Sequence, residues 1–329
     1  MKVLFICPRF FGYEKNITDA LLRQGHEVTY YDEKPYNNVI FKIVLRLWKN
    51  SLFVRKIIDK YFTKILKESP SDIDVVIVLK GESLTDNIVA KIRNKYSEAK
   101  FVFYAWDSII NYPHVHKYLY QFDKVFTFDS HDALTHDNME LLPLFFSPEF
   151  TMAASVFDNI NKNKKKISFL GTVHSDRYEL LGEIYKKYKN EYDLNFILYF
   201  PSVIVLLGFL SANIKNIIKY KLYTFSLRSR SKTEMANLFL SSNAVLDIQH
   251  PGQSGLTMRT LECMPLQRKM ITTNTEIKKY PFYSPQNYMV LNRQKLEIDP
   301  DFLDTIYDPL EIEIIDRYSV DTWVRILCE

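Results

Sequence analysis

The stretch His250-Pro-Gly-Gln-Ser-Gly-Leu-Thr-Met-Arg-Thr-Leu-Glu262 gathers glycines, hydroxyls, an arginine and a glutamate in thirteen residues. It follows the apolar run "NAVLDIQ", so it reads as a loop between a strand and a helix. Backbone N–H groups exposed at a helix start, together with the helix dipole, favour an anion. Gly252 and Gly255 would let that anion approach the backbone closely, and Ser254 and Thr257 would add hydroxyl donors. Arg259 has the donor fork that fits a phosphate, and Glu262 could accept from two ribose hydroxyls. The plainer alternative is a capped helix, with Ser254 or Thr257 as its N-cap and Glu262 as a solvated surface acid.

A second loop of the same kind is "FLGTVHSDR", Phe169 to Arg177. Gly171 and Thr172 could turn backbone N–H groups toward a diphosphate that Arg177 would neutralise. His174 and His250 flank the two loops, where an imidazole could donate to phosphate. Here the alternative is a structural turn capped by Ser175 or Asp176.

Both loops need strand ends to hold them. The chain opens with "KVLFI", a loop carrying Gly12 and Glu14, the helical pattern "ITDALLRQG" and the strand "HEVTYYD", the start of a parallel α/β sheet. The strands "DVVIVLKG", "KFVFYAWD" and "KVFTFD" would complete a sheet of about five. After the polar segment "NINKNKKK" the alternation restarts with "ISFLG", "LNFILYF", "AVLDIQ", "KMITTN" and "NYMVL", and the chain closes on the helical pattern "PLEIEIIDRYSVDTWVRILCE". The expected fold class is therefore α/β, two Rossmann-like domains in tandem: residues 1–155, residues 156–310, and a C-terminal helix over 311–329. The first turn has Gly12 alone in place of G-x-G-x-x-G, so no dinucleotide cofactor is assigned.

A length of 329 residues suits two cores, and 47% hydrophobic residues can fill them. Cys7, Cys263 and Cys328 are odd in number and have no CxxC spacing, which argues against a disulfide framework or a zinc site and fits a reducing cytoplasm. No apolar run reaches the roughly 18 residues of a membrane span, and Pro8 and Arg9 cut the first apolar run short of a signal core. The net charge of +4 is unevenly placed. Between Phe41 and Lys67, Lys42, Arg46, Lys49, Arg55, Lys56, Lys60, Lys64 and Lys67 face one acid, Asp59. This stretch and Val203 to Lys221 suit an anionic membrane surface, or else are core helices whose lysines face water. Nucleic acid is not expected, since no binding module is recognisable.

The pairing of "FLGTVHSDR" with "HPGQSGLTMRTLE" and the following "KMITTN" resembles the donor half of GT-B glycosyltransferases. More narrowly, it is similar to the bacterial group that includes the spore-maturation CgeB-like proteins and enzymes of surface-polysaccharide synthesis. The resemblance covers most of the chain and implies a C-terminal nucleotide-sugar site, an N-terminal acceptor site and a last helix that returns to the first domain. It implies as donor residues Gly171, Thr172, His174, Arg177, His250, Gly252, Ser254, Gly255, Thr257, Arg259 and Glu262. One departure is "CMPLQRK" after Glu262, where Pro265 replaces the usual small residues and shortens the helix.

An inverting transfer needs a base for the acceptor hydroxyl, and either stereochemistry needs stabilisation of the leaving nucleoside diphosphate. The candidate bases are Asp107 in "YAWDS", Glu14 and Asp129 in "FTFDS". Asp107 comes first because it follows Trp106, a residue suited to stacking on a sugar ring; Trp106 and Gly12 are assigned to the acceptor. Neither His114, His116 and His131 nor any D-x-D at a strand end makes a metal site, so phosphate neutralisation falls to Arg177, Arg259 and the loop amides. The expectation is a metal-independent, cytoplasmic and peripherally membrane-associated glycosyltransferase acting on a glycan or lipid-linked glycan. The alternatives are a nucleotide-sugar epimerase of the same architecture and a non-catalytic nucleotide- or glycan-binding subunit.

Overall fold

The computed structural model describes residues 1–37, 41, 44–45, 51–154 and 165–329. Lys42, Arg46 and Lys49 of the basic stretch and residues 159–164 of the polar segment lie outside the described residues. The chain divides into two compact units, Met1–Pro143 with Val320–Glu329, and Leu144–Ser319.

In the first unit β1 (Lys2–Ile6), α1 (Tyr13–Arg23), β2 (Glu27–Tyr31), α2 (Leu52–Glu68), β3 (Val75–Leu79), α3 (Asp86–Lys95), β4 (Lys100–Ala105), β5 (Lys124–Thr127), α4 (Ser130–Thr135) and β6 (Glu140–Leu141) follow in order. The sheet order is β2-β1-β3-β4-β5-β6, and every pairing is parallel. A parallel sheet covered on both faces demands strands without a polar side, and "VVIVL" of β3 is buried at all five positions. Helix α1 starts at Tyr13, directly behind Gly12 at φ 75°, and closes into Gly25 at φ 80°, two left-handed positions that suit glycine. Its buried stripe, Tyr13, Ile17, Ala20 and Leu21, has helical spacing.

The second unit runs α5 (Pro148–Ala154), β7 (Lys166–Thr172), α6 (Arg177–Tyr188), β8 (Asp193–Tyr199), α7 (Val203–Ala212), α8 (Ile214–Tyr220), β9 (Phe225–Ser226), α9 (Lys232–Leu240), β10 (Ala244–Asp247), α10 (Met258–Cys263), β11 (Lys269–Thr272), β12 (Tyr288–Val290), α11 (Pro300–Asp304) and α12 (Ile312–Asp316). Its sheet order is β12-β11-β10-β7-β8-β9, also wholly parallel. Counted from β7 this is the doubly wound order 3-2-1-4-5-6, with its switch point between β7 and β10.

Three expectations change. The divide falls at Pro143 and not at 155, because Phe150 of α5 is fully buried and stacks 6.4 Å from Phe239 of α9. The closing segment is two helices and not one. Helix α12 stays in the second unit, Phe146 pairs with Ser319, and α13 (Val320–Cys328) returns to the first unit. There Arg23 donates to Asp321 at 3.1 and 2.8 Å, and Trp323, 1% exposed, packs 4.7 Å from Tyr104. Finally, each sheet gains a two-residue edge strand, β6 and β9, too short to show any periodicity.

Candidate functional site

In an open α/β sheet a ligand lies beyond the carboxyl ends of the strands at the switch point. In the second unit the segments leaving β7 and β10 are the two glycine-hydroxyl loops, which parallel pairing places side by side. At their base Asp247 ends β10 and is 0% exposed. Its Oδ1 accepts from Arg259 Nη1 at 2.6 Å and its Oδ2 from the Thr257 hydroxyl at 3.0 Å. Arg259 also donates to the Leu170 carbonyl. Arg177, the first residue of α6, donates through Nη1 to the Thr172 carbonyl at 2.7 Å and through Nε to the Ile248 carbonyl at 2.9 Å. Both guanidiniums lie over the Phe169 ring, at 5.6 Å for Arg177 and 5.3 Å for Arg259. Arg293 closes the group by donating to Asp176 at 2.6 Å and to the Gln249 carbonyl.

Three guanidiniums thus share two carboxylates. Burial, and after it the charge of Arg259, lowers the pKa of Arg177 to about 10, so an anion placed here would relieve an existing repulsion. Burial with the charges of Arg177, His250 and Arg259 lowers His174 to about 4, and its ring stands 5.7 Å from that of His250. At neutral pH His174 is therefore an uncharged imidazole, able to donate from one nitrogen only. The Nε–H of Arg259 is buried without a hydrogen-bond partner among the described residues.

The loop above is braced from below. Asn274 donates to the carbonyls of Ser254 and Gly255 at 3.0 and 3.1 Å, and Thr257 caps α10 by accepting from Thr260 N. Gly252 is exposed, and Gly171 is half-buried. A Cβ on Gly171 would come within 3.1 Å of Arg259 Nη2 and 3.0 Å of Phe169 Cζ, so only glycine leaves that space free.

The structure therefore brings together Gly171, Thr172, His174, Arg177, His250, Gly252, Ser254, Gly255, Thr257 and Arg259, with two corrections. Most donors of Arg177 and Arg259 go to carbonyls and to Asp247, with the Arg259 Nε–H left over, so what they chiefly offer a ligand is charge. Glu262 is 1% exposed, and burial withdraws its carboxylate from a ligand. Sequence reasoning missed Asp247 and Arg293. An acid closing an otherwise apolar strand, ten and twelve residues before a threonine and an arginine, was the available signal for Asp247; Arg293 had none.

In the first unit the switch point lies between β1 and β3. Lys80, at φ 72°, follows β3 and binds Asp107 at 2.9 Å. Burial opposes the Lys80 ammonium, but Asp107, Tyr112 and Glu82 outweigh it and hold its pKa above the ordinary lysine value. Trp106 joins an aromatic group with Phe10 at 4.8 Å, Tyr13 and Tyr104 each at 5.8 Å, and Trp323 at 6.2 Å. Glu14 is not in the loop but in the first turn of α1, where it accepts from Phe10 N at 3.2 Å. Asp129 is 1% exposed and caps α4 through the N–H groups of His131 and Asp132. Glu33, 0% exposed, has one carboxylate oxygen on Ser83 N and the other without a partner among the described residues. Burial pushes its pKa up to about 7. A cavity of about 590 Å³ lies between α2 and the start of α3, lined by Arg55, Lys56, Lys60, Lys117 and Thr85. Among the described residues no group of three or more His, Cys, Asp or Glu could hold a metal.

No protein-family model and no curated protein matches the chain by sequence. Solved structures match it over its whole length. A glycosyltransferase from Rickettsia africae superposes with a TM-score of 0.62 at 13% identity, covering 99% of this chain and 96% of that one. HepE from Anabaena, in complex with UDP and glucose, gives 0.60 at 10% identity over 100% and 98%. A UDP-GlcNAc 2-epimerase from Neisseria meningitidis, bound to UDP-GlcNAc, gives 0.54 at 11% identity over 100% and 98%. The chain has the two-Rossmann-domain fold of GT-B glycosyltransferases, including a last helix that returns to the first unit.

Proposed function

We propose that the protein is a glycosyltransferase that takes a sugar from a nucleotide-sugar donor. The observation that supports this most directly is the arginine group at the β7/β10 switch point. Arg177, Arg259 and Arg293 hold more positive charge than Asp247 and Asp176 neutralise, beneath a glycine-hydroxyl loop. A nucleoside diphosphate supplies the missing negative charge, and the same field stabilises it as a leaving group. Gly171, Thr172, Gly252, Ser254 and Gly255 serve its oxygens, and neutralisation by arginine stands in for a metal. The acceptor is a glycan or lipid-linked glycan of surface-polysaccharide synthesis, met by Trp106 and Gly12 on the cytoplasmic face of an anionic membrane. Asp107 is the base and Glu14 the second choice.

The test is thermal stabilisation by UDP, GDP, dTDP, CMP and ADP, followed by turnover of the matching nucleotide sugar with and without an acceptor. One nucleotide should stabilise the protein, and turnover should need the acceptor. The epimerase of the same fold supports a second reading. Donor turnover in the absence of any acceptor would select it, and binding without turnover would select a binding subunit.

A further inference from the structure

The segment between β8 and α9 has a composition that no core requires. From Pro201 to Ser231 it holds five basic residues, Lys215, Lys219, Lys221, Arg228 and Arg230, and no acidic one. Helix α7 within it, VIVLLGFLSA, has no charged residue and none that is fully buried. One face, Leu206, Phe209 and Leu210, packs on the core of the second unit, where Phe209 lies 5.1 Å from both Tyr178 and Phe200. The other face is turned outward, with Val203 at 52%, Ile204 at 79% and Leu207 at 59% exposure. Helix α8 continues that surface through Ile214 and Ile218, at 54% and 63%. Its own inner side is fixed by Ile217 and by Tyr220, which lies so close on Gly182 of α6 that a Cβ there would meet the ring at 2.4 Å.

We propose that α7 and α8 form an interfacial anchor that rests on an anionic lipid leaflet, with the outward face of α7 among the acyl chains and the lysines of α8 at the headgroups. Ten residues of helix are about 15 Å long, half of a hydrocarbon core of roughly 30 Å. Among the described residues no single helix is long and apolar enough to cross a membrane; the α7–α8 pair has the length and composition to do so together but is bent by 81°. With that bend, and with Leu206, Phe209, Leu210, Ile217 and Tyr220 of its inner side packed on the second unit's core, the anchor is assigned to the interface. Charge selects the occupant. The acids facing α8 are Glu179, which accepts from Asn216, and Glu183, 3.6 Å from Lys219. Lys215 and Lys221 make no ion pair among the described residues and remain for lipid phosphate. A second copy of the chain seated on this face would set the same lysines against themselves, which an anionic leaflet does not.

This inference deepens the membrane placement above by naming the element that touches lipid, and it does not depend on glycosyl transfer. The test is co-sedimentation with vesicles of phosphatidylcholine alone and of phosphatidylcholine with phosphatidylglycerol, at low and at 0.5 M salt, about a Debye length of 4 Å. The wild type should pellet with the anionic vesicles and bind the neutral ones at least tenfold more weakly. The double substitution Ile204→Asp and Leu207→Asp should abolish pelleting, and each of Lys215→Gln and Lys221→Gln should weaken it roughly fivefold. In Leu207→Trp, emission should move to the blue with anionic vesicles. Nucleotide-induced stabilisation, measured on the same variants, should be unchanged, so that loss of the donor site is not mistaken for loss of the anchor. Failure to pellet with anionic vesicles overturns the proposal. So does a wild-type dimer that the double substitution dissociates while pelleting stays the same.

Discussion

Replacing Asp247 by Asn tests the charge arithmetic of the donor site. The carboxylate is 0% exposed and holds Arg259 at 2.6 Å and the Thr257 hydroxyl at 3.0 Å. The amide keeps its size but not its charge, and it can accept from only one of the two partners. Arg259 is left buried beside Arg177, and of the two carboxylates only Asp176 remains. Breaking one side of a buried pair costs about 3–5 kcal/mol. For a unit of 150 to 250 residues, each kcal/mol is worth about 2–4 °C, so the melting temperature should fall by roughly 6–20 °C. A nucleoside diphosphate at a hundred times its Kd stabilises by about 2.7 kcal/mol in the wild type. In Asp247→Asn the same ligand also supplies the lost countercharge, so its stabilisation should exceed the wild-type value. Arg259→Lys, which keeps the charge and loses the fork, should retain most of the nucleotide effect. Differential scanning fluorimetry at 0.15 M salt, with and without the nucleotide, reads all three. A nucleotide-induced rise in Asp247→Asn that is equal to or smaller than in the wild type refutes the reasoning, whatever the loss of stability.

Gly171→Ala should weaken nucleotide binding, read by titration calorimetry, while costing no more than about 1–3 kcal/mol of stability, because its Cβ would sit 3.1 Å from Arg259 Nη2 in the space assigned to phosphate. Asp107→Asn should lower the rate of transfer by a factor of about 10²–10⁴ and leave nucleotide-induced stabilisation intact; an unchanged rate would remove Asp107 as base. Glu33→Gln should change the pH dependence of stability. A carboxyl raised in the folded state binds more protons there than in the unfolded chain, so wild-type stability is lost as pH rises from about 4.5 to about 7. Urea midpoints of the two proteins should agree below that window and diverge through it, by up to about 3 kcal/mol in favour of Gln above pH 7; a gap independent of pH would contradict the burial argument.

Most of the fold was legible in the sequence, because long buried strands such as "VVIVL" and "KFVFYA" have no polar side, and the helices between them have helical spacing. What escaped depends on contacts distant in the chain. The true divide is set by Phe150 against Phe239, and the break in the closing helix by the pairing of Phe146 with Ser319. The position of the two candidate loops was legible because glycine, hydroxyl and arginine cluster after apolar runs that form strands. The use of those arginines was not. A guanidinium can serve a ligand or its own loop, and only the positions of Asp247 and of the carbonyls of Leu170, Thr172 and Ile248 show that Arg259 and Arg177 serve the loop. Glu262 looked like a ribose acceptor from its spacing alone, and burial was invisible there.

The first unit's strand ends are built on the opposite charge plan, and this bears on the choice of base. Lys80 and Lys34 meet Asp107, Glu82 and Glu33, so cations and carboxylates are nearly matched, and the buried Glu33 adds no fixed charge below about pH 7. Such an edge has little net field for an anion, which is what the proposed acceptor side, meeting an uncharged hydroxyl, would require. Asp107 and Glu14 then differ in freedom. One oxygen of Glu14 accepts the Phe10 amide, which a loop beginning at Cys7 needs in order to enter α1. Asp107 is 37% exposed, and its partner is a lysine side chain 2.9 Å away and not a backbone amide. A base has to change its protonation without pulling backbone with it. Were Asp107 to take the hydroxyl proton, Lys80 would keep Glu82 as a second acid 3.8 Å away. If Asp107 is the base, Lys80 steadies the charge around it during transfer, which requires Lys80→Met to lower turnover without affecting nucleotide binding.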